Sequence, residues 1–406
     1  MWLYNLGISL YAGGIRLAAL WHGKARLWSE GRRNIFERME AAVRPSDRIV
    51  WVHAASLGEF EQARPIIERL RAEHPEYKIL LTFFSPSGYE IRKNYEGADY
   101  VFYLPADTPS NARRFLDIVH PEIAIFIKYE FWINLLSELR RRKVRSYIVS
   151  AIFRRNSVFF RPYGAMWRQA LETFDTLFVQ NVESKRLLSE IGFDNVVVAG
   201  DTRFDRVAQI AAAAQRVETI ERFRGGGRLF VAGSTWGPDE EILLPLVNAN
   251  PDVKFVIAPH EMDEGRIAHL MRDAKGGAVR YTQCDAATRF DDVQVLVLDT
   301  MGMLSSVYGS ATWAYVGGGF GVGIHNTLEA ATFGLPIAFG PNYGKFKEAR
   351  DMVSLGCAVS VRTAGELAAW FAPLRDDEET LRRASRTAKD YTARNQGATG
   401  IILRSI

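Results

Sequence analysis

The sequence predicts an α/β protein of two doubly wound, Rossmann-like domains facing a cleft, with an apolar helix ahead of them. Three observations lead there. Short β-rich apolar runs alternate with helical stretches along most of the 406 residues, which implies parallel sheets with helices on both faces. The alternation falls into two blocks. Between them lie a helix-forming run, Ala211 to Gln215, and a flexible one, Gly225-Gly226-Gly227, which together suit a hinge. The chain is also too long for one ordinary core, so size alone favours two domains.

The strands expected in the first block are 49–55, 78–84, 100–104, 123–128, 145–150, 176–179 and 196–199. Those of the second are 228–232, 254–258, 294–298, 312–316, 335–339 and 358–361. The division that follows is an N-terminal helix at 1–21, a first domain at 22–210, a linker at 211–228 and a second domain at 229–406. The last helix of the chain is free to cross back to the first domain. Ligands in such sheets bind at the carboxyl ends of the strands, so the functional residues are expected there.

Residues 1–21 carry a single charge, Arg16, among Leu, Tyr, Gly and Ala. No small-residue cleavage site ends the segment, which argues against a cleaved signal peptide. At 100° per residue Asn5, Ser9 and Arg16 fall on one narrow face and apolar side chains on the rest. Lys24, Arg26, Arg32, Arg33 and Arg38 follow. The pattern reads as a membrane anchor with its basic flank on the cytoplasmic side. Spanning and interfacial placements both stay open, because Arg16 would be costly near mid-bilayer. A soluble helix packed on the domain is the alternative.

Hydrophobic residues make up 48% and charged residues 24%, which is globular. A net charge of +4 is too mild to argue for nucleic acid, and no nucleic-acid-binding motif occurs. Cys284 and Cys357 lack metal-ligand spacing and suggest a reducing compartment without disulfides.

The richest stretch is Tyr315 to Glu329, where an apolar run ends in five glycines between Gly317 and Gly323, then His325, Asn326 and Glu329. A strand, a glycine loop with Gly318 and Gly319, and a helix start together suit an anion. Glu329, one turn in, suits a ribose or sugar diol. Neither the dinucleotide fingerprint nor a P-loop is present. Other strand ends are polar as well. Ser56, Gly58 and Glu59 follow the first strand, and Glu59 is a candidate general base. Each has a bland reading too, here a glutamate that merely complements a helix dipole. Glu130 follows the fourth strand, and Arg203 and Asp205 the seventh. Arg203 could hold a phosphate or be merely solvated. In the second block Gly233, Ser234 and Thr235 supply N–H and hydroxyl donors, or ordinary caps. Pro259 and His260 end the next strand and Gly302 the one after. No Asp-x-Asp, His-Glu-x-x-His or Gly-x-Ser-x-Gly motif occurs, so nothing calls for a metal or other cofactor.

Taken together, these pieces resemble the bacterial 3-deoxy-D-manno-octulosonic acid (Kdo) transferases of lipopolysaccharide assembly. The resemblance runs through the apolar N-terminus, His53…Ser56-Leu57-Gly58-Glu59, Glu130-Phe131-Trp132, Gly200-Asp201-Thr202-Arg203-Phe204-Asp205, Gly233-Ser234-Thr235, Pro259-His260 and Gly317-Gly318…His325-Asn326-x-x-Glu329…Phe339-Gly340-Pro341. It implies a glycosyltransferase fold of the B type, an acceptor-binding first domain and a nucleotide-sugar-binding second domain. It also implies CMP-Kdo as donor and the tetraacyl lipid A precursor as acceptor, at the cytoplasmic face of the inner membrane. The implied catalytic residues are Glu59, Glu130 and Arg203. The implied donor residues are Gly233, Ser234, Thr235, Pro259, His260, Gly302, Gly318, Gly319, Asn326 and Glu329, and the acceptor residues Ser56, Gly58, Arg154 and Arg155. Arg161 and the run Arg140 to Lys143 are further candidates for the acceptor's phosphates. Lys128, Tyr129, Phe131 and Ile133 depart from the family's usual residues around Glu130, and Arg203 stands where it has lysine. The order after His260 also departs, so no role carries over to Arg266. Another glycosyltransferase using a UDP-sugar, a sugar-nucleotide epimerase on the same fold and a non-catalytic membrane scaffold are the rival readings.

Overall fold

The computed structural model describes all residues from Met1 to Ile406. The chain divides into two compact units. One holds Met1–Arg206 together with Gln396–Ile406, and the other Val207–Asn395.

The first unit is built on seven parallel strands. They are β1 (Ile49–His53), β2 (Lys78–Phe83), β3 (Tyr100–Tyr103), β4 (Ile123–Ile127), β5 (Arg145–Ala151), β6 (Thr176–Val179) and β7 (Val196–Val198), in spatial order β3-β2-β1-β4-β5-β6-β7. The order turns outward on both sides of β1, the switch at which doubly wound sheets take their ligands. β1 is buried throughout, as a strand covered on both faces must be. Its residues alternate between two cores. Ile49 and Trp51 join Phe115 and Phe126, whereas Val50 and Val52 join Phe60 and Ile66.

The second unit repeats the plan with β8 (Leu229–Thr235), β9 (Lys254–Pro259), β10 (Ala278–Arg280), β11 (Val295–Val297), β12 (Trp313–Val316), β13 (Ile337–Phe339) and β14 (Ala358–Ser360), ordered β10-β11-β9-β8-β12-β13-β14. Leu229 and Val231 face one core, Phe230 and Ala232 the other. Thirteen of these fourteen strands coincide with the runs expected from sequence. The exception is β10, an edge strand of three half-buried residues whose pattern is too short to stand out.

Residues 211–228 are not a bare linker. They contain a helix, Glu218–Arg224, whose Ile220 and Phe223 are buried in the second unit's core. At the other end of that unit the chain returns to the first. There Asp205 accepts hydrogen bonds from the N–H groups of Gly397 and Thr399 and from the Thr399 hydroxyl, each at 2.6 Å. This caps the last helix, Ala398–Leu403.

The N-terminal helix, Trp2–Ala18, has no buried residue, and no helix of the chain is long and apolar enough to cross a membrane. Its inner side carries Tyr4, whose hydroxyl donates to buried Asp107 at 2.6 Å, and Asn5, which accepts from Asn134 at 2.9 Å. Asn5 therefore lies against the domain rather than on an outward polar face with Ser9 and Arg16. The outer side leaves Trp2, Leu3, Leu6, Leu10 and Leu17 exposed.

Candidate active site

In the first unit the carboxyl ends of β1 and β4 lie side by side, since His53 pairs with Phe126 in the sheet register. The helix Leu57–Glu73 starts directly after β1. Its first turn carries Glu59, which folds back to accept the Ala55 N–H at 2.7 Å. After β4 the chain turns at Lys128, a non-glycine residue at φ 62°. Such a conformation is unfavourable for a lysine and persists only where surrounding contacts impose it. The turn delivers Glu130 and Trp132 to the same rim. The Trp132 Nε1–H donates to Glu130 Oε2 at 2.8 Å, and His53 Nε2 lies 3.2 Å from the same oxygen.

Glu59 is half-buried. Burial pushes its carboxyl above the usual range, and the negative charge of Glu130 adds to this. Lys128, His53 and the Ala55 N–H pull the other way. A carboxyl held above its usual range at a strand end is suited to general-base work. Tyr129 lies close by. Burial raises its hydroxyl, opposed by a hydrogen bond from Arg154, and it feels the charges of Asp201 and Glu59.

Most of the cations expected to meet phosphates have carboxylate partners here. Arg203 is held by Asp201, with its Nε at 2.9 Å and Nη2 at 2.7 Å from Oδ2. Burial would raise Asp201, but Arg203 prevails and keeps this carboxyl below its usual range. Arg203 is thus not a free cation awaiting a phosphate. Arg155 pairs with Glu190 at 2.8 Å and 3.0 Å. The basic run is also spoken for, because Arg140 pairs with Glu172, Arg141 with Glu138 and Arg142 with Asp117. Ser56 precedes the helix without a side-chain cap, and Gly58 is exposed with open space where a Cβ would stand.

In the second unit the polar groups gather where β8, β9 and β12 end. Ser234, at φ 54°, repeats the left-handed turn seen at Lys128. The glycine loop after β12 is packed backbone to backbone. A Cβ on Gly317 would stand 2.2 Å from the Ser234 carbonyl oxygen, and one on Gly319 would stand 2.5 Å from Gly340 Cα. These positions need glycine for close approach. Asp239, which sequence reasoning missed, organises the loop. It accepts from the Gly318 N–H at 2.9 Å, the Trp236 N–H at 2.9 Å and the Tyr315 hydroxyl at 2.8 Å. The only sequence signal was its place in the first turn of the helix Gly237–Ala249. Gly233 is fixed by packing, as a Cβ there would stand 2.2 Å from the Tyr308 hydroxyl.

Beside this loop the aromatic rings of Trp236, His260 and His325 form a stack. Trp236 lies 4.8 Å from His260, and His260 4.3 Å from His325. Pro259 ends β9 and sets His260 at the surface. The expected helix start is shorter than its pattern suggests. The helix spans only Leu328–Thr332, so His325 and Asn326 precede it. Glu329 is oriented by Asn326 Nδ2 at 3.0 Å and Ser305 Oγ at 2.8 Å. Thr235 is fully buried, and its hydroxyl donates to Glu240 at 2.8 Å, which removes it as a ligand donor. Arg266 pairs with the same glutamate at 2.6 Å. Gly302 is exposed at φ 85°, with open space where a Cβ would stand. No group of three or more His, Cys, Asp or Glu side chains is placed to hold a metal ion.

Comparison with known proteins adds what the chain is similar to. The family described as 3-deoxy-D-manno-octulosonic-acid transferase (kdotransferase) matches residues 32–206. The 3-deoxy-D-manno-octulosonic acid transferase of Haemophilus influenzae is 25% identical over 378 residues, 88% of this chain and 86% of that protein. That of Bordetella pertussis is 28% identical over 366 residues, 86% of this chain and 85% of that protein. Among solved structures, a UDP-GlcNAc 2-epimerase from Neisseria meningitidis superposes with a TM-score of 0.61 at 16% identity. It covers 88% of this chain and 98% of its own. MurG from Acinetobacter baumannii gives 0.57 at 12% identity, over 89% and 99%. At such identities these two share the fold alone. The family match falls on the unit that holds His53, Glu59, Glu130 and Arg203, and the relatives extend the similarity across both sheets, so the chain is similar to 3-deoxy-D-manno-octulosonic acid transferases over most of its length.

Proposed function

We propose that the chain transfers Kdo from CMP-Kdo to a hydroxyl of the lipid A precursor, with inversion, at the carboxyl ends of its strands. The observation that carries this reading is the half-buried Glu59, raised by burial and by Glu130 and seated at the end of β1. Glu59 takes the proton from the acceptor hydroxyl as its oxygen bonds the donor's anomeric carbon. The bond from that carbon to the phosphate oxygen breaks, and CMP leaves with the electron pair. Glu130 and Lys128 set the charge around Glu59. Arg154, beside Tyr129, is the acceptor-side cation that keeps a place near this centre.

In the second unit Ser234, His260, Gly319, Asn326 and Glu329 hold the nucleotide. Gly318 serves through backbone shape, its N–H being given to Asp239. Donors aimed at the leaving phosphate supply the neutralisation that the reaction requires without a metal. The N-terminal helix lies on the cytoplasmic face of the inner membrane, its exposed apolar side toward the lipid. Calorimetry of the full chain with CMP, UDP and ADP tests the donor class. Selective binding of CMP is expected, and preference for UDP would move the reading to another sugar nucleotide.

A further inference from the structure

The first unit holds a second concave site that shares no residue with the Glu59 cluster. It is a cavity of about 760 Å³ where the N-terminal helix meets the segment after it. Arg16, Arg26, Arg32 and Arg33 line it, against Glu30 and Glu37. Glu37 is already engaged by Arg114 at 3.4 Å. Arg16 and Arg33 are exposed and have no side-chain partner. Arg32 is fixed at the wall, donating to the carbonyls of Leu104 and Phe84 at 2.8 Å and of Trp28 at 3.1 Å, with no carboxylate paired to it. Its charge also lies over the Trp28, Tyr103 and Phe84 rings, 3.9, 4.6 and 5.1 Å from their centroids, so an anion would add the counter-ion that this guanidinium lacks.

Two buried polar groups in the lining are also unsatisfied. Trp28 is only 6% exposed, and its Nε1–H has no acceptor. The Ser29 hydroxyl has no partner either. Buried donors of this kind are normally paired, and an unpaired one points to a missing ligand or water. An oxyanion is the ligand class that answers guanidinium, indole N–H and hydroxyl donors alike. The rim is apolar. Leu20 lines the cavity yet is 66% exposed, and Leu17 and Trp21 beside it are exposed too.

We propose that this cavity binds the phosphate headgroup of an anionic membrane phospholipid, with the acyl chains running along the exposed side of the N-terminal helix. The proposal rests on the interfacial reading of that helix but not on the transfer reaction. The test is flotation of the full chain with phosphatidylcholine vesicles, with and without phosphatidylglycerol. Wild type is compared with Arg16→Gln, Arg33→Gln and Trp28→Phe, and with Arg383→Gln as an equal charge change on the other unit. Each arginine variant should lose about fivefold in partitioning to anionic vesicles. Trp28→Phe should weaken anionic binding only, because it removes the N–H and keeps the ring. Arg383→Gln should leave it unchanged. Equal losses in the control variant, or none in Arg33→Gln and Trp28→Phe, overturn the headgroup site. Displacement by millimolar glycerol phosphate would make it a soluble-phosphate site and overturn the lipid assignment. No binding to any vesicle removes the interfacial reading as well. CMP calorimetry and thermal melting on the same variants report separately on the transfer site and on folding.

Discussion

His53 Nε2 and Glu130 Oε2 lie 3.2 Å apart, joining the end of β1 to the turn after β4. His53 is fully buried, and its other nitrogen faces the Thr82 hydroxyl at 2.8 Å. That hydroxyl oxygen already accepts the Trp51 Nε1–H at 2.8 Å, so its proton is available to His53 Nδ1. His53 Nδ1 also lies 3.1 Å from the Thr82 carbonyl and Nε2 lies 3.1 Å from Trp132 Nε1, so either ring nitrogen can carry the hydrogen, and Trp132 donates to Glu130 at 2.8 Å in both cases. These contacts hold the Glu130 carboxyl in place, and its negative charge adds to burial in raising Glu59.

Glu59→Gln should remove a base and leave the fold and the nucleotide site intact. Loss of a general base typically costs about 10²–10⁴-fold in rate. Single-turnover transfer should fall within that range, with CMP affinity in calorimetry unchanged. A rate within a few-fold of wild type would take Glu59 out of the reaction.

Glu130→Gln should move the acidic limb of the rate–pH profile to lower pH. The Glu130 charge is, after burial, the main influence raising Glu59. A base works only when ionised, so wild-type activity should fall as pH drops through the raised Glu59 value. Removing the neighbouring charge lets Glu59 ionise at lower pH. A limb that stays in place, or moves upward, would show that the two carboxyls are not coupled in this sense.

How much of this was legible in the sequence follows from what each element depends on. Strands buried on both faces read as continuous apolar runs, so β1, β4, β8 and β12 were visible. β10 was not, because three half-buried edge residues carry no pattern. Glu59 and Glu130 were visible as strand-end carboxylates, but spacing alone favoured a helix-terminal glutamate and a surface ion pair, and their catalytic roles came from the resemblance. The fate of the arginines was not, since a sequence cannot say that Arg203 meets Asp201 or Arg155 meets Glu190. Those pairs depend on the direction of side chains across a turn or between helices. Asp239 was missed for the same reason. Its partners Tyr315 and Gly318 lie on another strand and its loop, more than seventy residues away.

Asn326→Ala and Glu329→Ala should both weaken CMP binding. Asn326 and Ser305 hold the two oxygens of Glu329, so the Asn326 change also loosens the carboxylate. Loss of a hydrogen bond to a charged group is worth about 1.5–3 kcal/mol, or roughly 10–150-fold in affinity. Calorimetry on folded variants with unchanged CMP affinity would assign these residues to the loop's structure alone.

The stacked rings of His260 and His325 predict a stability trend with pH. Burial first, and then His260, holds His325 below the usual histidine value. The unfolded chain takes up a proton near pH 6.5, and the folded chain resists it. This contribution is therefore fully present above about pH 6.5 and is lost as pH falls below it. Thermal melts from about pH 5 to 8 should show the decline, and His325→Gln should flatten it. An unchanged slope in the variant would place the decline elsewhere.

The two sides of the N-terminal helix should respond differently to substitution. Its inner side is tied to the domain by Tyr4 on Asp107 and by Asn5 on Asn134. Its outer side exposes Trp2 and Leu3 at 73% and Leu10 at 66%. An exposed Leu or Trp that enters a lipid interface contributes up to roughly 1.5–3 kcal/mol on full burial. Changing Trp2, Leu3 and Leu10 together to Gln should release the protein from vesicles and slow transfer to a membrane-embedded acceptor. CMP binding and the melting temperature should hold, because none of the three is buried in the fold. Tyr4→Phe should do the reverse. It leaves the outer surface intact but removes a donor from Asp107, a buried carboxyl already raised by burial. Its melting temperature should fall while vesicle binding persists. If the outer variant melted lower and still floated with vesicles, the apolar side would be a packing surface and the helix would have no part in membrane contact.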